Sequence, residues 1–189
     1  MLRRLSLPPD PGPLPEGERL AAVAAIFGPS DELLLIRRAE RAGDPWSGHI
    51  AFPGGHREPA DGSLRAAAER EVMEELGLDL HSGEYLGALG VVAPYTRRGP
   101  RSVTVAPFVY HVERWPDYVL SNEVASVQHI AFSRFLAREG RGSFPYSWQG
   151  HQVELPSVTL DGAFIWGLTL RMIDELSELI RQGVPEDRG

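Results

Sequence analysis

The sequence predicts a single α+β domain in which helices cover a mixed β-sheet. Short runs of apolar and β-branched residues, bounded by Gly, Pro, Ser and Asp, predict strands along most of the chain. Apolar residues recur at helical spacing in two long segments, one near the middle and one near the carboxyl end. The length of 189 residues suits one domain with a full core.

Local signals place the strands and loops along the chain. Residues 21–28 and 33–38 predict two strands joined by the turn GPSD, and residues 40–51 predict a loop. The later elements are the strands at residues 84–92, 102–112 and about 124–132, a short helix at 133–139 and a hairpin within 146–155.

Signals at both ends define the first long helix. Ser63 is a favourable N-cap and Gly77 a favourable C-cap, so we expect the helix to run from Leu64 to Leu76. One stripe along this helix is apolar, and we expect it to pack inward. Its members are Leu64, Ala68 and Val72.

The second long helix is expected near the carboxyl end. Its apolar stripe ends before Gly183 and has these members: Ile165, Leu168, Met172, Ile173, Leu176, Leu179 and Ile180. Trp166 falls in this pattern, so we expect it in the core and not on a surface that stacks on bases. Around a domain at residues 21–183 we expect an irregular arm at residues 1–20, rich in Pro and Gly, and a tail at residues 184–189.

Composition and charge argue against several classes of protein. The net charge of −7 disfavours a general nucleic-acid binder, which normally has a basic face. The apolar run LAAVAAIF is too short to span a bilayer, and no segment resembles a secretory signal. Without cysteine the chain has no disulfide and no thiolate metal site. We therefore expect a cytoplasmic protein whose partner is a small anion bridged by a divalent cation, not nucleic acid or membrane.

Three glutamates cluster on the first long helix. Positions i, i+3 and i+4 share one helix face, and Glu71, Glu74 and Glu75 have this spacing. Arg70 stands four residues before Glu74, but one arginine does not neutralise three carboxylates. Hard divalent cations such as Mg²⁺ prefer oxygen ligands, so this face has the donors for a metal site. A solvated acidic helix face is the alternative for the motif taken alone.

The segment around this helix resembles the Nudix box, G-x5-E-x7-R-E-U-x-E-E-x-G-U, in which U is a bulky aliphatic residue. Residues 70–78, REVMEELGL, match its second half without a gap. In the first half, the spacing from Gly55 to Arg70 is one residue longer than in the pattern, and Asp61 is the nearest substitute for the loop glutamate. The resemblance implies a Nudix-like α/β/α sandwich with a mixed sheet between helices.

The resemblance to Nudix hydrolases also implies an activity and its residues. These enzymes hydrolyse a diphosphate bond that links a nucleoside to another group, with Mg²⁺ or Mn²⁺ as the cofactor. Arg70 is expected to fix the orientation of a glutamate rather than to touch the substrate. The metal is expected to be held by Glu71, Glu74, Glu75 and a backbone carbonyl of Gly54 or Gly55.

The general base remains open between two kinds of carboxylate. A glutamate of the box, Glu74 or Glu75, is one choice. Glu123, in LSNEVASV, is the other, because Nudix hydrolases often carry a glutamate just before a late strand. A surface charge beside Asn122 is the alternative for Glu123. Two single histidines are also able to transfer protons, although such residues are more often structural: His129 and His151.

A finer resemblance bears on the substrate. The coenzyme A pyrophosphatase subfamily carries the motif LLTxR[SA]xxxRxxxGxxxFPGG, and residues 33–55 read LLLIRRAERAGDPWSGHIAFPGG. Gly48 and the FPGG turn match, as does a basic residue at Arg37 or Arg38. The resemblance implies hydrolysis of coenzyme A or its thioesters to 4'-phosphopantetheine species and adenosine 3',5'-bisphosphate.

One position of that motif differs, which keeps other substrates open. Asp44 stands where the inner arginine is expected, and Arg41 takes its place only if the loop is longer than in the motif. The alternatives are a Nudix pyrophosphatase for ADP-ribose or dinucleoside polyphosphates, and a Nudix-fold binding module without turnover. Binding modules generally lose box glutamates, whereas this helix keeps all three.

Basic and aromatic side chains are candidates for holding the substrate. Residues 95–101 read YTRRGPR and separate two predicted strands. Tyr95 is a candidate for stacking on adenine, and the candidates for phosphate contacts are Arg38, Arg97, Arg98 and Arg101. Arginines that only keep an exposed loop soluble are the alternative. The predicted partner is a small nucleotide, and a homodimer is left open.

Overall fold

The fold is taken from a computed structural model that describes residues 7–12, 14, 19–43, 46–94, 103–148 and 150–183. The strands are β1 (Arg19–Phe27), β2 (Glu32–Arg38), β3 (Ile50–Ala51), β4 (Gly54–His56), β5 (Glu84–Ala88), β6 (Val103–His111), β7 (Val124–Ala131), β8 (Arg141–Trp148), β9 (His151–Leu160) and β10 (Ala163–Trp166). The helices are α1 (Leu64–Leu76), α2 (Phe132–Leu136) and α3 (Gly167–Gly183), with a 3₁₀ turn at Leu80–Ser82. Of the helices that these residues form, none is long and apolar enough to cross a membrane.

The main sheet is mixed, as the sequence predicts. Its strands follow the order β3-β2-β1-β6-β5, with β4 paired to β1 and β7 paired to β2. β1 and β6 run parallel, from Arg19 opposite Val103 to Phe27 opposite His111. The other strand pairs of this sheet are antiparallel. Because parallel strands need a crossover, the connection from β1 to β6 has room for α1 and the turn that precedes it.

A second, antiparallel sheet contains β8, β9 and β10. The hairpin predicted within residues 146–155 lies in this sheet and is confirmed, but its strands extend over residues 141–160. Several aromatic rings of this sheet contact one another at centroid distances between 5.2 and 6.3 Å: Phe144, Tyr146, Phe164 and Trp166.

Helices cover both faces of the main sheet, so the predicted α/β/α arrangement is confirmed. Successive residues of a strand point to opposite faces. Ala24 and Ile26 pack with Val72 of α1 in one buried cluster. Ala25 and Phe27 pack in the other cluster, to which α3 contributes. The acidic helix therefore lies on one face of the sheet and the carboxyl-terminal helix on the other.

The carboxyl-terminal helix begins two residues later than its apolar stripe predicts. Ile165 and Trp166 belong to β10, where Ile165 pairs with Val158. Gly167, with a φ of 64°, turns the chain from the strand into α3. Ile165 is fully buried in the strand. Because it also falls at helical spacing before the apolar residues of α3, the sequence pattern placed the start of the helix too early. The expectation for Trp166 is also wrong: it was predicted in the core of the helical pattern, but it lies in β10 and is only half-buried, against Phe144 of the second sheet.

Other boundaries also differ from the predicted ones. β1 begins at Arg19, because its first residues pair with β6. The strand predicted over residues 84–92 ends at Ala88, and Val92 forms only an isolated bridge further on. The loop predicted over residues 40–51 ends in β3. The short helix predicted at 133–139 is α2, which starts one residue earlier and ends three residues earlier.

The first long helix has the predicted bounds and caps. The Ser63 side chain accepts a hydrogen bond from the Ala66 N–H at 3.0 Å, as an N-cap does. Gly77 has a φ of 65°, and its N–H donates to the Met73 carbonyl at 2.9 Å. The predicted inward stripe is buried: Leu64, Ala68 and Val72. These contacts fix where the glutamate face of α1 lies relative to the sheet.

Ser63→Ala removes the side-chain acceptor at the N-terminus of α1, so we expect the free energy of unfolding to fall by about 1 kcal/mol. Ser63→Asp retains an acceptor at that position and should lose much less. Urea denaturation followed by circular dichroism measures both variants. Equal stability of Ser63→Ala and the wild type would show that the cap does not stabilise α1.

Candidate functional site

The FPGG turn and α1 are in direct contact at the candidate site. β4 pairs with β1, which places Gly54 opposite Val23. The Gly54 N–H donates to the Glu75 carboxylate at 2.8 Å. Gly54 has a φ of 143°, and a Cβ at this position would lie 2.3 Å from the Ala22 carbonyl oxygen. Only glycine permits this close approach, so the turn holds its N–H against the glutamate.

The second glycine of the turn makes room for another carboxylate. A Cβ at Gly55 would lie 2.4 Å from the carboxyl carbon of Glu71. The Glu71 carboxylate therefore occupies the space that a side chain at Gly55 would fill. Two glutamates of α1 thus lie against the backbone of one glycine turn.

Burial makes it costly to ionise these two glutamates. Glu75 is only 3% exposed, and burial raises its pKa to about 8, although the Gly54 hydrogen bond opposes this shift. Burial also raises the pKa of Glu71, which the charge of Arg70 partly offsets. Repulsion adds to both shifts: the charge of Glu71 raises the pKa of Glu75, and the charge of Glu74 raises the pKa of Glu71. A cation between them would relieve both the desolvation and the repulsion.

Arg70 is the centre of an ion-pair network beside the turn. Its guanidinium donates two hydrogen bonds to Asp61, at 3.0 and 3.1 Å, and one to the His56 carbonyl at 3.1 Å. It also lies 3.1 Å from Glu71 and 3.2 Å from Glu74. This position agrees with the predicted role of orienting glutamates.

Asp61 lies in the loop where the sequence places the substitute for the box glutamate. It is buried and also accepts a hydrogen bond from the Glu58 N–H at 2.7 Å. The hydrogen bonds from Arg70 and Glu58 lower its pKa. Both carboxylate oxygens of Asp61 are therefore engaged within the protein, and its contact with the site runs through Arg70.

The oxygen donors of this region suit a hard divalent cation. The set comprises the carboxylates of Glu71, Glu74 and Glu75 and the backbone of Gly55. Within the described ranges, no three acidic or histidine side chains already converge as ligands around one point. Glu71 and Glu74 instead contact Arg70, and Glu74 keeps a side chain that is 59% exposed. Arg70 therefore holds the side chains of Glu71 and Glu74 beside the glycine turn.

Glu123 reaches the same region from another part of the chain. The loop before β7 runs along the end of α1, with the Ser121 N–H donating to the Glu75 carbonyl and the Val119 N–H to the Leu76 carbonyl, both at 3.0 Å. The charge of Glu123 contributes to the raised pKa of Glu71 and of Glu75. The structure thus brings this predicted candidate base close to the acidic helix.

Two side chains near Glu123 add to the predicted set. Arg41 donates to Glu123 at 3.0 Å and to Asn122 at 2.9 Å. The sequence offered Arg41 only as a substitute for the inner arginine of the motif, and Asn122 only as a neighbour of Glu123. The pairing joins residues about eighty positions apart, so no local pattern could reveal it.

The other predicted residues are distributed as follows. The charge of Arg38 opposes the rise in the pKa of Glu75, so this arginine lies near the acidic helix.

The two candidate histidines lie elsewhere. His129 stacks on Trp115 at a centroid distance of 4.3 Å and contacts the Tyr118 hydroxyl at 2.8 Å, which indicates a structural role. His151 lies in the second sheet, at the end of the β8–β9 hairpin. Four substrate candidates lie outside the described residues: Tyr95, Arg97, Arg98 and Arg101.

Sequence comparisons agree with this geometry. The NUDIX domain family matches residues 17–144. The chain is 32% identical over 183 residues to the uncharacterized Nudix hydrolase NudL of Photorhabdus laumondii, covering 94% of each chain. It is also 32% identical over 161 residues to the NudL protein of Yersinia pestis, covering 84% of this chain and 77% of that protein.

Solved structures show the same fold. The MutT protein of Methanosarcina mazei is similar with a TM-score of 0.56 and 21% identity, covering 90% of this chain and 98% of that one. The NUDIX domain of Shewanella oneidensis NrtR, in complex with ADP ribose, is similar with a TM-score of 0.57 and 18% identity, covering 87% and 90%. The domain match and the NudL relatives go further than the fold, because they span most of the sequence. The chain therefore belongs to the Nudix hydrolase family.

Proposed function

We propose that this chain is a divalent-metal-dependent pyrophosphatase that hydrolyses coenzyme A or its thioesters. The products would be 4'-phosphopantetheine species and adenosine 3',5'-bisphosphate. The observation that carries the proposal is the placement of the Glu71 and Glu75 carboxylates against the Gly54–Gly55 turn. Buried carboxylates that repel one another electrostatically are typical of a site that holds a cation and, through it, an anionic substrate.

The residues divide into those that hold the metal and those that orient them. Glu71, Glu74, Glu75 and the Gly55 carbonyl would hold Mg²⁺ or Mn²⁺. When bound, the cation would lower the pKa of a coordinated water and offset negative charge on the diphosphate. Arg70 would orient the metal-binding carboxylates through the ion pairs described above.

Glu123 is our choice for the group that accepts a proton from the attacking water. Its side chain is 45% exposed, so water can reach it, and it lies close enough to influence Glu71 and Glu75 electrostatically. Glu75 is less suited, because its carboxylate is buried and accepts the Gly54 N–H. Glu74 is the remaining alternative among the box glutamates.

Coenzyme A is the proposed substrate because of the motif over residues 33–55. The motif's unmatched arginine has a candidate in Arg41, whose side chain extends to Glu123 in the site region. Arg38 would contact a phosphate, and its electrostatic effect on Glu75 supports a position near the acidic helix. We further propose that the loop residues Tyr95, Arg97, Arg98 and Arg101 hold the adenosine 3'-phosphate part of the substrate.

ADP-ribose and dinucleoside polyphosphates are the alternative substrates. Asp44 stands where the coenzyme A subfamily has an arginine, so the chain lacks one feature of that subfamily. This difference is the reason for retaining the alternative substrates. The purified protein should be incubated with coenzyme A, ADP-ribose and diadenosine polyphosphates, with Mg²⁺ or Mn²⁺, and the products separated by chromatography. Light scattering of the same sample would show whether it is a homodimer.

The outcomes of this assay separate the proposals. We expect adenosine 3',5'-bisphosphate to be released from coenzyme A faster than any product from the other compounds. Faster cleavage of ADP-ribose would retain the pyrophosphatase and reject coenzyme A. The absence of turnover with every compound would favour a binding module.

Gly55→Ala should lower activity, because the new Cβ would take the space of the Glu71 carboxylate. A displacement of about 1 Å at such a site costs about 10²-fold in rate, so we expect kcat/KM to fall by about that factor. Gly62→Ala is the matched control, since a Cβ at Gly62 meets no atom within 4 Å. Equal kcat/KM for the two variants would contradict the contact between Gly55 and Glu71.

Glu75 should make the metal-free protein less stable as the pH rises. Its pKa is raised from an ordinary 4.5 to about 8, so between these values the folded state holds a proton that the unfolded state has lost. The free energy of unfolding should therefore fall across this window, by an amount on the order of a few kcal/mol. Glu75→Gln should remove this dependence and stabilise the metal-free protein at pH 8.

Urea denaturation in the presence of a chelator, at pH values from 5 to about 8.5, measures this effect. Glu74→Gln, on the same helix but mostly exposed, should retain the wild-type pH dependence. If Glu75→Gln and the wild type respond to pH in parallel, the burial of Glu75 does not have the effect described here.

A further inference from the structure

Arg41, Asn122 and Glu123 form a contact that we call the Glu123 latch. The Arg41 guanidinium donates one hydrogen bond to the Glu123 carboxylate at 3.0 Å and a second to the Asn122 side-chain oxygen at 2.9 Å. The Arg41 main chain is itself fixed, because its N–H donates to the Ser47 hydroxyl at 2.7 Å. One guanidinium fork thus spans two neighbouring side chains of the loop before β7.

The main chain of this loop is held without the latch. Backbone hydrogen bonds tie Ser121 and Val119 to the end of α1. A further one joins the Ala39 N–H to the Glu123 carbonyl at 2.7 Å. These bonds fix where the Glu123 backbone lies, so the contribution of Arg41 concerns the direction of the Glu123 side chain.

The ion pair is also too exposed to add much to stability. The side chains of Arg41 and Glu123 are 43% and 45% exposed. Exposed pairs of this kind typically stabilise a protein by about 0–1 kcal/mol. A role in orienting the carboxylate explains the two-point contact better than a role in folding.

Electrostatic repulsion favours a Glu123 side chain that points away from the carboxylates of α1. Glu123 lies within range of the Glu71 and Glu75 carboxylates, and like charges repel. The Arg41 guanidinium supplies an attraction that holds the Glu123 carboxylate against this repulsion. Without the arginine, the half-exposed carboxylate would gain by moving towards solvent.

We propose that Arg41 is a positioning residue that holds the Glu123 carboxylate in its reactive orientation beside the acidic helix. Asn122 shares the guanidinium and limits its rotation. The inference rests on the proposed function, in which Glu123 accepts the proton of the attacking water. It also assigns a role to an arginine that lies three positions before the place of the motif arginine.

The kinetic test uses the full-length protein and whichever diphosphate it hydrolyses fastest. Arg41→Ala should lower kcat by about 10- to 100-fold while KM changes little, because in this proposal the arginine acts on Glu123 and not on the substrate. Arg41→Lys should recover only part of the loss, since lysine lacks the guanidinium fork. Arg134→Ala is the matched control: it removes a partly exposed arginine of α2 that pairs with Glu139, beyond the end of α2, and with Asp161 in the β9–β10 turn.

A double-mutant cycle connects the effect to Glu123. Glu123→Gln should lower kcat by about 10²-fold or more, as expected for a general base. Adding Arg41→Ala to that variant should cause no further loss, because the arginine acts through the carboxylate. An additive loss, or a rise in KM with kcat unchanged, would overturn the proposal and place Arg41 against the substrate. Wild-type kcat in Arg41→Ala would overturn it as well.

A structural measurement keeps the test independent of activity. Crystal structures of the wild type and Arg41→Ala should show the same main chain at residues 119–123. The Glu123 carboxylate should occupy one position in the wild type and turn to solvent, or take several positions, in the variant. An unchanged carboxylate position in Arg41→Ala would overturn the proposal. Absence of hydrolysis by the wild type would reject the proposed function, and this comparison would still decide the role of Arg41.

Discussion

The structure of the site depends on the contact between the glycine turn and the buried face of α1. The Gly54 N–H binds the Glu75 carboxylate at 2.8 Å, and the absence of a side chain at Gly55 makes room for Glu71. This contact places two carboxylates where solvent does not reach them well, which raises the pKa of both. Any substitution that fills the turn, or any change in the position of α1, alters the same pair of groups. The cation-binding chemistry that we propose follows from this constraint.

Two arginines partly balance the negative charge of the acidic groups. Arg70 contacts Glu71 and Glu74 from the side of the box loop, and Arg41 contacts Glu123 from the opposite loop. These ion pairs offset part of the repulsion between the acidic groups.

The sequence predicted the parts of the molecule in which local signals and tertiary packing agree. The bounds of α1 are correct because Ser63 and Gly77 cap it and its apolar stripe faces the sheet. The predicted start of α3 was wrong because Ile165, which is buried in a strand, falls at helical spacing with the apolar residues of the helix. The contact of Arg41 with Glu123 joins distant parts of the chain across a loop of altered length, which periodicity does not reveal.

Mn²⁺ binding to chelator-treated protein, followed by electron paramagnetic resonance of the free ion, tests the central claim most directly. The account predicts that the wild type binds Mn²⁺, that Mg²⁺ displaces it, and that Glu71→Gln and Glu75→Gln weaken binding by at least about tenfold. Glu178→Gln, which removes an exposed carboxylate on α3, should bind Mn²⁺ as the wild type does. Equal Mn²⁺ affinity in all four proteins, or no binding by the wild type, would contradict the claim that the buried glutamates of α1 hold a divalent cation.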